Sequence, residues 1–172
     1  MKIISIFILT AAVLVGCNSE DSQTSINPDD YAETVAYVAE NFETADVSQS
    51  SSSPEYLQSY NQESLAKEVT VYTNQSNEIV YIQFQGISSD MAQKVLHDIG
   101  SDKNDDIKML VNNPDDFEKK HNQRYIANVI NDKIGVHVLA LEDDLANKMG
   151  RDGIYTVNIF YNLNIYNDFM NK

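Results

Sequence analysis

The chain has 172 residues, a formal charge of −14 and a single cysteine, with 26 acidic residues against 12 Lys and Arg. That balance excludes a protein that tracks nucleic-acid phosphates, which needs a basic face, and it disfavours docking on anionic headgroups. One cysteine excludes an intramolecular disulfide, a CxxC redox pair and a cysteine-built zinc cluster, so a domain of one ordinary size must be held by its apolar core.

The first segment carries the address. Lys2 is a short positive region, and Ile3 to Val15 form an apolar run broken only by Ser5 and Thr10. The run is shorter than the roughly 20 apolar residues a membrane-spanning helix needs, so it reads as a signal peptide. It ends in Leu14-Val15-Gly16-Cys17, followed by an abrupt polar shift at Asn18-Ser19-Glu20-Asp21. These four residues resemble the lipobox of bacterial lipoproteins. The resemblance implies removal of residues 1–16, lipidation of Cys17 with a diacylglyceryl group, and a mature protein tethered to the bilayer of the cell envelope. Buried acyl methylenes at about 0.8 kcal/mol each make such an anchor stable once two or more chains are present. In a host with two membranes, Asn18 stands where the sorting pattern of these lipoproteins puts Asp for inner-membrane retention, which favours the outer membrane.

Residues 17–26 read as the lipidated tether and 27–172 as a single domain. Asn27 suits an N-cap, Pro28 the first helical position, and Asp29 and Asp30 the positive end of the helix dipole. Tyr31, Val35, Val38 and Phe42 then recur at helical spacing, predicting a helix over about 28–45. A Ser-rich loop follows at 47–54, and Tyr56, Leu57, Tyr60 and Leu65 permit a short weak helix. Val69–Tyr72 and Ile79–Phe84 are β-branched and aromatic, and the Asn74-Gln75-Ser76-Asn77 turn between them predicts a hairpin. Ser88 or Ser89 caps a helix with Met91, Val95, Leu96 and Ile99 on one face and Gly100 at its end. Residues 101–122 are polar around an apolar patch at Ile107, Met109, Leu110 and Val111, with a short helix opening at Pro114.

Tyr125 to Ile130 and Val136 to Leu141 read as two more strands, and Glu142 starts a brief helix ended by Gly150. The final run alternates Tyr155, Val157, Ile159, Tyr161, Leu163 and Ile165 with polar residues, predicting one long strand with a core face and a wet face. The whole is an α+β domain: a mostly antiparallel sheet of about five strands with helices on one face, preceded by an N-terminal helix.

Few residues carry chemistry. Asp102, Asn104 and Asp106 stand at positions 1, 3 and 5 of an EF-hand-like loop, but Ile107 and Asn113 replace the required Gly and Glu, leaving only a weak cation site. His97, His121 and His137 show no ligand spacing. No serine occupies a recognisable nucleophile setting and no Gly-rich phosphate loop exists, so neither an enzyme class nor a cofactor is indicated. On the polar face of the last strand, Asn158, Phe160 and Asn162 form an aromatic among amides suited to contact with an envelope protein or a glycan. If helices cover that face, Phe160 is core instead. The leading expectation is a non-catalytic binding lipoprotein, such as an assembly factor, inhibitor or exclusion protein. The alternatives are a small envelope hydrolase built from carboxylates and a histidine, or a cation-binding lipoprotein.

Overall fold

The architecture comes from a computed structural model, which describes residues 25–43 and 53–172. Cys17, the apolar run before it and most of the Ser-rich loop lie outside the described residues.

Helix α1 spans Tyr31–Asn41 and begins three residues later than the sequence predicts. Asp30, not Asn27, is the N-cap and accepts from the Glu33 N–H at 3.1 Å. Asn27 instead closes a turn onto Asp30, while the Pro28 carbonyl accepts from Ile79 N–H at 2.9 Å and is drawn to the start of a strand. After a 3₁₀ turn at Glu55–Leu57, the segment expected as a weak helix is strand β1, Asn61–Ala66. Its polar sequence gives no strand period, but pairing with β2 (Val69–Thr73) overrides that local preference.

The expected hairpin is β2 with β3 (Ile79–Ile87), and helix α2 (Ser89–Asp98) follows with Ser88 as N-cap and Gly100 just beyond its end at φ +72°. The apolar patch in the polar stretch is helix α3 (Asp105–Asn112), capped by Asn104, and α4 (Pro114–His121) continues from it. Strands β4 (Tyr125–Ile130) and β5 (Ile134–Ala140) form a second hairpin. Asn131 and Asp132, at φ +51° and +54°, supply the left-handed pair its tight turn demands. Helix α5 (Asp143–Lys148) leads to β6 (Tyr155–Phe160).

The final run is not one strand. β6 stops at Phe160, and Asn162 caps helix α6, Leu163–Met170, by accepting from the Asn164 N–H at 3.0 Å. The six strands form one antiparallel sheet in the order β1-β2-β3-β6-β5-β4, so β6 joins the two hairpins through β3 and β5.

Both faces of this sheet carry cores. On the first, Val71, Ile82, Ile159 and Val136 lie in register, as do Val69, Phe84, Val157 and Val138, beneath Tyr37 and Val38 of α1, Val95 and Leu96 of α2, and Leu110 of α3. On the second, Tyr72, Tyr81 and Phe160 form a row under Leu57, Ile165, Tyr166 and Phe169. Helices therefore cover one face as expected, and α6 adds a smaller cover at one end of the other. That cover fits because β5 carries Gly135 opposite Phe160: a Cβ there would stand 2.4 Å from the Tyr166 ring.

Candidate functional site

Every strand places a residue in the row next to the one α6 covers. Register aligns Ser64, Thr70, Gln83, Asn158, His137 and Ala127 across the second face. The row beyond it holds Gln85, Thr156, Leu139 and Tyr125, about 7 Å further along the strands. Asn158 and Thr156 are buried; Gln85 and Tyr125 are exposed and the others are half-buried. The result is a shelf of amides, hydroxyls and aromatic rings beside the covered end of the sheet.

Asn158 organises the shelf. Its Oδ1 accepts from the Tyr81 hydroxyl at 2.6 Å and from Gln83 Nε2 at 3.0 Å. With the carbonyl so occupied, Nδ2 is the donor toward His137 Nδ1 at 3.2 Å. The imidazole proton therefore resides on Nε2. His137 packs between Tyr125, at 5.7 Å between ring centres, and Phe169, at 5.0 Å. Burial pushes its pKa down to about 4, which keeps the ring neutral and the Asn158 contact intact at neutral pH.

Because the unfolded chain takes up a proton near pH 6.5 that the folded chain refuses until about 4, stability falls as pH drops through that window. Urea unfolding at pH 7 and pH 4.5 should show wild type losing roughly 2 kcal/mol more than His137→Gln. Equal losses in the two proteins would remove His137 from this account.

The three sequence-chosen partner residues do not form a contact surface. Phe160 is fully buried and stacked 4.7 Å from Tyr81, Asn162 is spent on the α6 cap, and Asn158 is the buried centre of the network. Period-two alternation put Phe160 on a wet face because it could not show that the chain turns into a helix at Asn162 and folds back over that face. The residues that are open there, Gln83, Gln85, Tyr125 and His137, escaped notice because each looks ordinary in its own strand.

The cation loop is also not assembled. Asn104 Oδ1 accepts from the N–H groups of Asp106 and Ile107, both at 3.0 Å, and so starts α3. Asp106 is engaged by Lys120 Nζ at 3.0 Å, and burial is not what sets its charge: that lysine holds its carboxyl below the ordinary pKa. Asp102 is half-buried at a separate cavity. Among the described residues, no group of three or more His, Cys, Asp or Glu is placed to hold a metal ion.

The histidines are dispersed. His121 stacks on Phe117 at 4.3 Å and lies 3.3 Å from Asp106, with its Nε2 off line for a hydrogen bond. His97 is largely exposed beside Asp98, at the rim of a cavity of about 270 Å³ walled by Leu96, Ile107 and Val111. Asp102 shares that rim, and no hydroxyl or thiol lines the cavity.

No family model, curated protein or solved structure matches this chain. Among the described residues no helix is long and apolar enough to cross a membrane.

Proposed function

We propose that this chain is a membrane-anchored envelope lipoprotein whose domain binds another envelope component, without catalysis, through the open rows of its second sheet face. The observation that carries the reading is the combination at Gln83, Gln85, His137 and Tyr125: neutral donors, neutral acceptors and an exposed ring on one rigid sheet. Amides and tyrosine give hydrogen bonds and contact area at small entropic cost, which suits a protein or glycan surface. The strands hold the groups in place, so little ordering remains to be done on binding.

The point at which the chain joins the domain supports the same reading. Ser25 lies eight positions after Cys17, a reach of at most about 29 Å. The chain enters the domain at the start of β3, where Pro28 meets Ile79, whereas Gln85 and Thr156 sit toward the other end of that strand pairing. An acylated Cys17 would hold the entry end toward the bilayer and leave the open rows pointing away from it.

The test is a crosslinking pull-down of the tagged, lipidated protein from its native envelope. A specific partner should be captured by wild type, lost with Cys17→Ala, and reduced at least about tenfold by Tyr125→Ala combined with Gln85→Ala, two exposed side chains, with the urea midpoint of the double variant measured alongside. A partner held equally well by the double variant would place the binding surface elsewhere, and an anchored preparation with no partner would turn attention to small ligands.

A further inference from the structure

The shelf ends at Arg151, which has no ion pair among the described residues. In a chain of net charge −14, Lys67 pairs with Asp152, Lys94 with Asp98, Lys119 with Asp116, Lys120 with Asp106, Lys172 with Glu55, and Arg124 with Asp115 and Glu118. Arg151 is half-buried, yet among the described residues its side chain makes only a long hydrogen bond, from Nη1 to Thr156 Oγ1 at 3.5 Å. Burial lowers its pKa from the ordinary value with no carboxylate offsetting it, although a guanidinium still remains charged at any working pH. Among the described residues its fork therefore keeps donors to spare.

The backbone makes a seat for this side chain. β3 bulges between Gln85 and Ile87, with Gly86 at φ +75°. A Cβ at Gly86 would meet Arg151 Cβ, Cγ and Cδ at 3.0, 3.2 and 3.4 Å, so the aliphatic stem lies directly on the bulge. The Arg151 N–H is fixed to the Ala146 carbonyl at 3.1 Å, which ties the residue to the end of α5. A cavity of about 270 Å³ opens here, lined by Gln85, Gly86, Met149 and Arg151 together with Lys67, Glu68 and Asp152. Within it Lys67 and Asp152 satisfy one another at 2.5 Å. Glu68 borders the cavity but makes no ion pair with Arg151, and its backbone carbonyl is taken by Gln85 N–H at 2.8 Å. Met149, which lines the cavity, is 51% exposed, and Leu145, four residues before it in the chain, is 46% exposed.

We infer that the Arg151 cavity is the anchoring subsite of the binding face and takes a carboxylate of a peptide partner, with an apolar residue beside that carboxylate resting on Met149 and Leu145. This rests on the binding-face reading and names its ligand chemistry. A planar carboxylate matches the guanidinium fork, Gln85 supplies a neighbouring amide, and the rows through Thr156 and Asn158 continue from there under the rest of the peptide. The carboxylate comes either from a chain terminus or from an acidic side chain, and three probes separate these sources.

The full acylated protein in detergent micelles is titrated with acetyl-Gly-Gly-Leu bearing a free terminal carboxylate, with the same peptide as its terminal amide, and with acetyl-Gly-Glu-Leu-amide. The side-chain Nε–H resonance of Arg151 reports contact. At least one carboxylate peptide should bind and move that resonance, and the uncharged amide should bind at least about tenfold more weakly. Binding by the free-terminus peptide alone identifies a chain end; binding by the Glu peptide alone identifies a side chain. Arg151→Met should remove the preference for carboxylate, and Arg151→Lys, which keeps charge but not the fork, should recover only part of it. Equal binding of all three peptides, binding of none, or a preference that survives in Arg151→Met overturns the assignment. The comparison among peptides on wild type does not depend on any variant folding. If the peptides fail while the crosslinked partner still depends on Tyr125 and Gln85, only the carboxylate subsite is wrong; if that dependence is absent too, the binding face itself is wrong.

Discussion

Replacing Phe160 by Ala is expected to lower stability by about 4 kcal/mol, the largest loss of any single side chain on the second sheet face. The ring is fully buried, stacked on Tyr81 at 4.7 Å, and touched by Tyr166 and Phe169 of α6 at 5.5 and 5.1 Å. Truncation opens a cavity that α6 has to collapse into or abandon. Urea unfolding should therefore show a lower midpoint, with loss of near-ultraviolet tyrosine signal below the main transition if α6 detaches first. Phe160→Leu should cost less than half as much. A residue that served only to meet a partner would give the opposite pattern, with stability untouched by the change to Ala and binding lost.

Asn158→Leu should cost on the order of 3 kcal/mol although it conserves shape. Leucine removes the acceptor for the Tyr81 hydroxyl and the donor for His137 Nδ1, and Tyr81 is too buried for water to replace the bond. Gln83 and His137 are half-buried and recover part of their loss from solvent. The discriminating measurement is a double-mutant cycle with Tyr81→Phe. Once the hydroxyl is gone, the Asn158 substitution should cost at least 1 kcal/mol less than in wild type. Strict additivity would mean that the 2.6 Å contact contributes nothing to stability.

What the sequence announced and what it hid follow from the range of the interactions involved. The β2–β3 and β4–β5 hairpins, the Ser88 cap and the α4 start depend on residues within a few positions of one another, and each was legible. β1 was not, because its strand state is imposed by β2 on a polar segment with no period of its own. α3 was hidden for a related reason: Asn104 looked like a cation ligand, and the same oxygen that suits an ion also suits two helical N–H groups. The error at the last run combined both effects, since Tyr161, Leu163 and Ile165 continue the alternation of β6 past the point where Asn162 starts α6. The candidate site was the least legible of all. Gln83, Asn158 and His137 are separated by up to 75 positions and become neighbours only through sheet register, and Arg151 gains meaning only from the bulge at Gly86.

The position of β6 also sets an order of events. It lies between β3 and β5, yet it is encoded at residues 155–160, after five other strands have already been made. Until it arrives, the two hairpins have no shared sheet, and the valine, isoleucine and phenylalanine rows of the first face cannot be completed. Pairings of such long sequence separation form slowly, after the loops between them have been closed. A chain made from its N-terminus would thus stay without its complete sheet until this late segment was available. It would lock only once residues 155–160 were available to pair with β3 and β5.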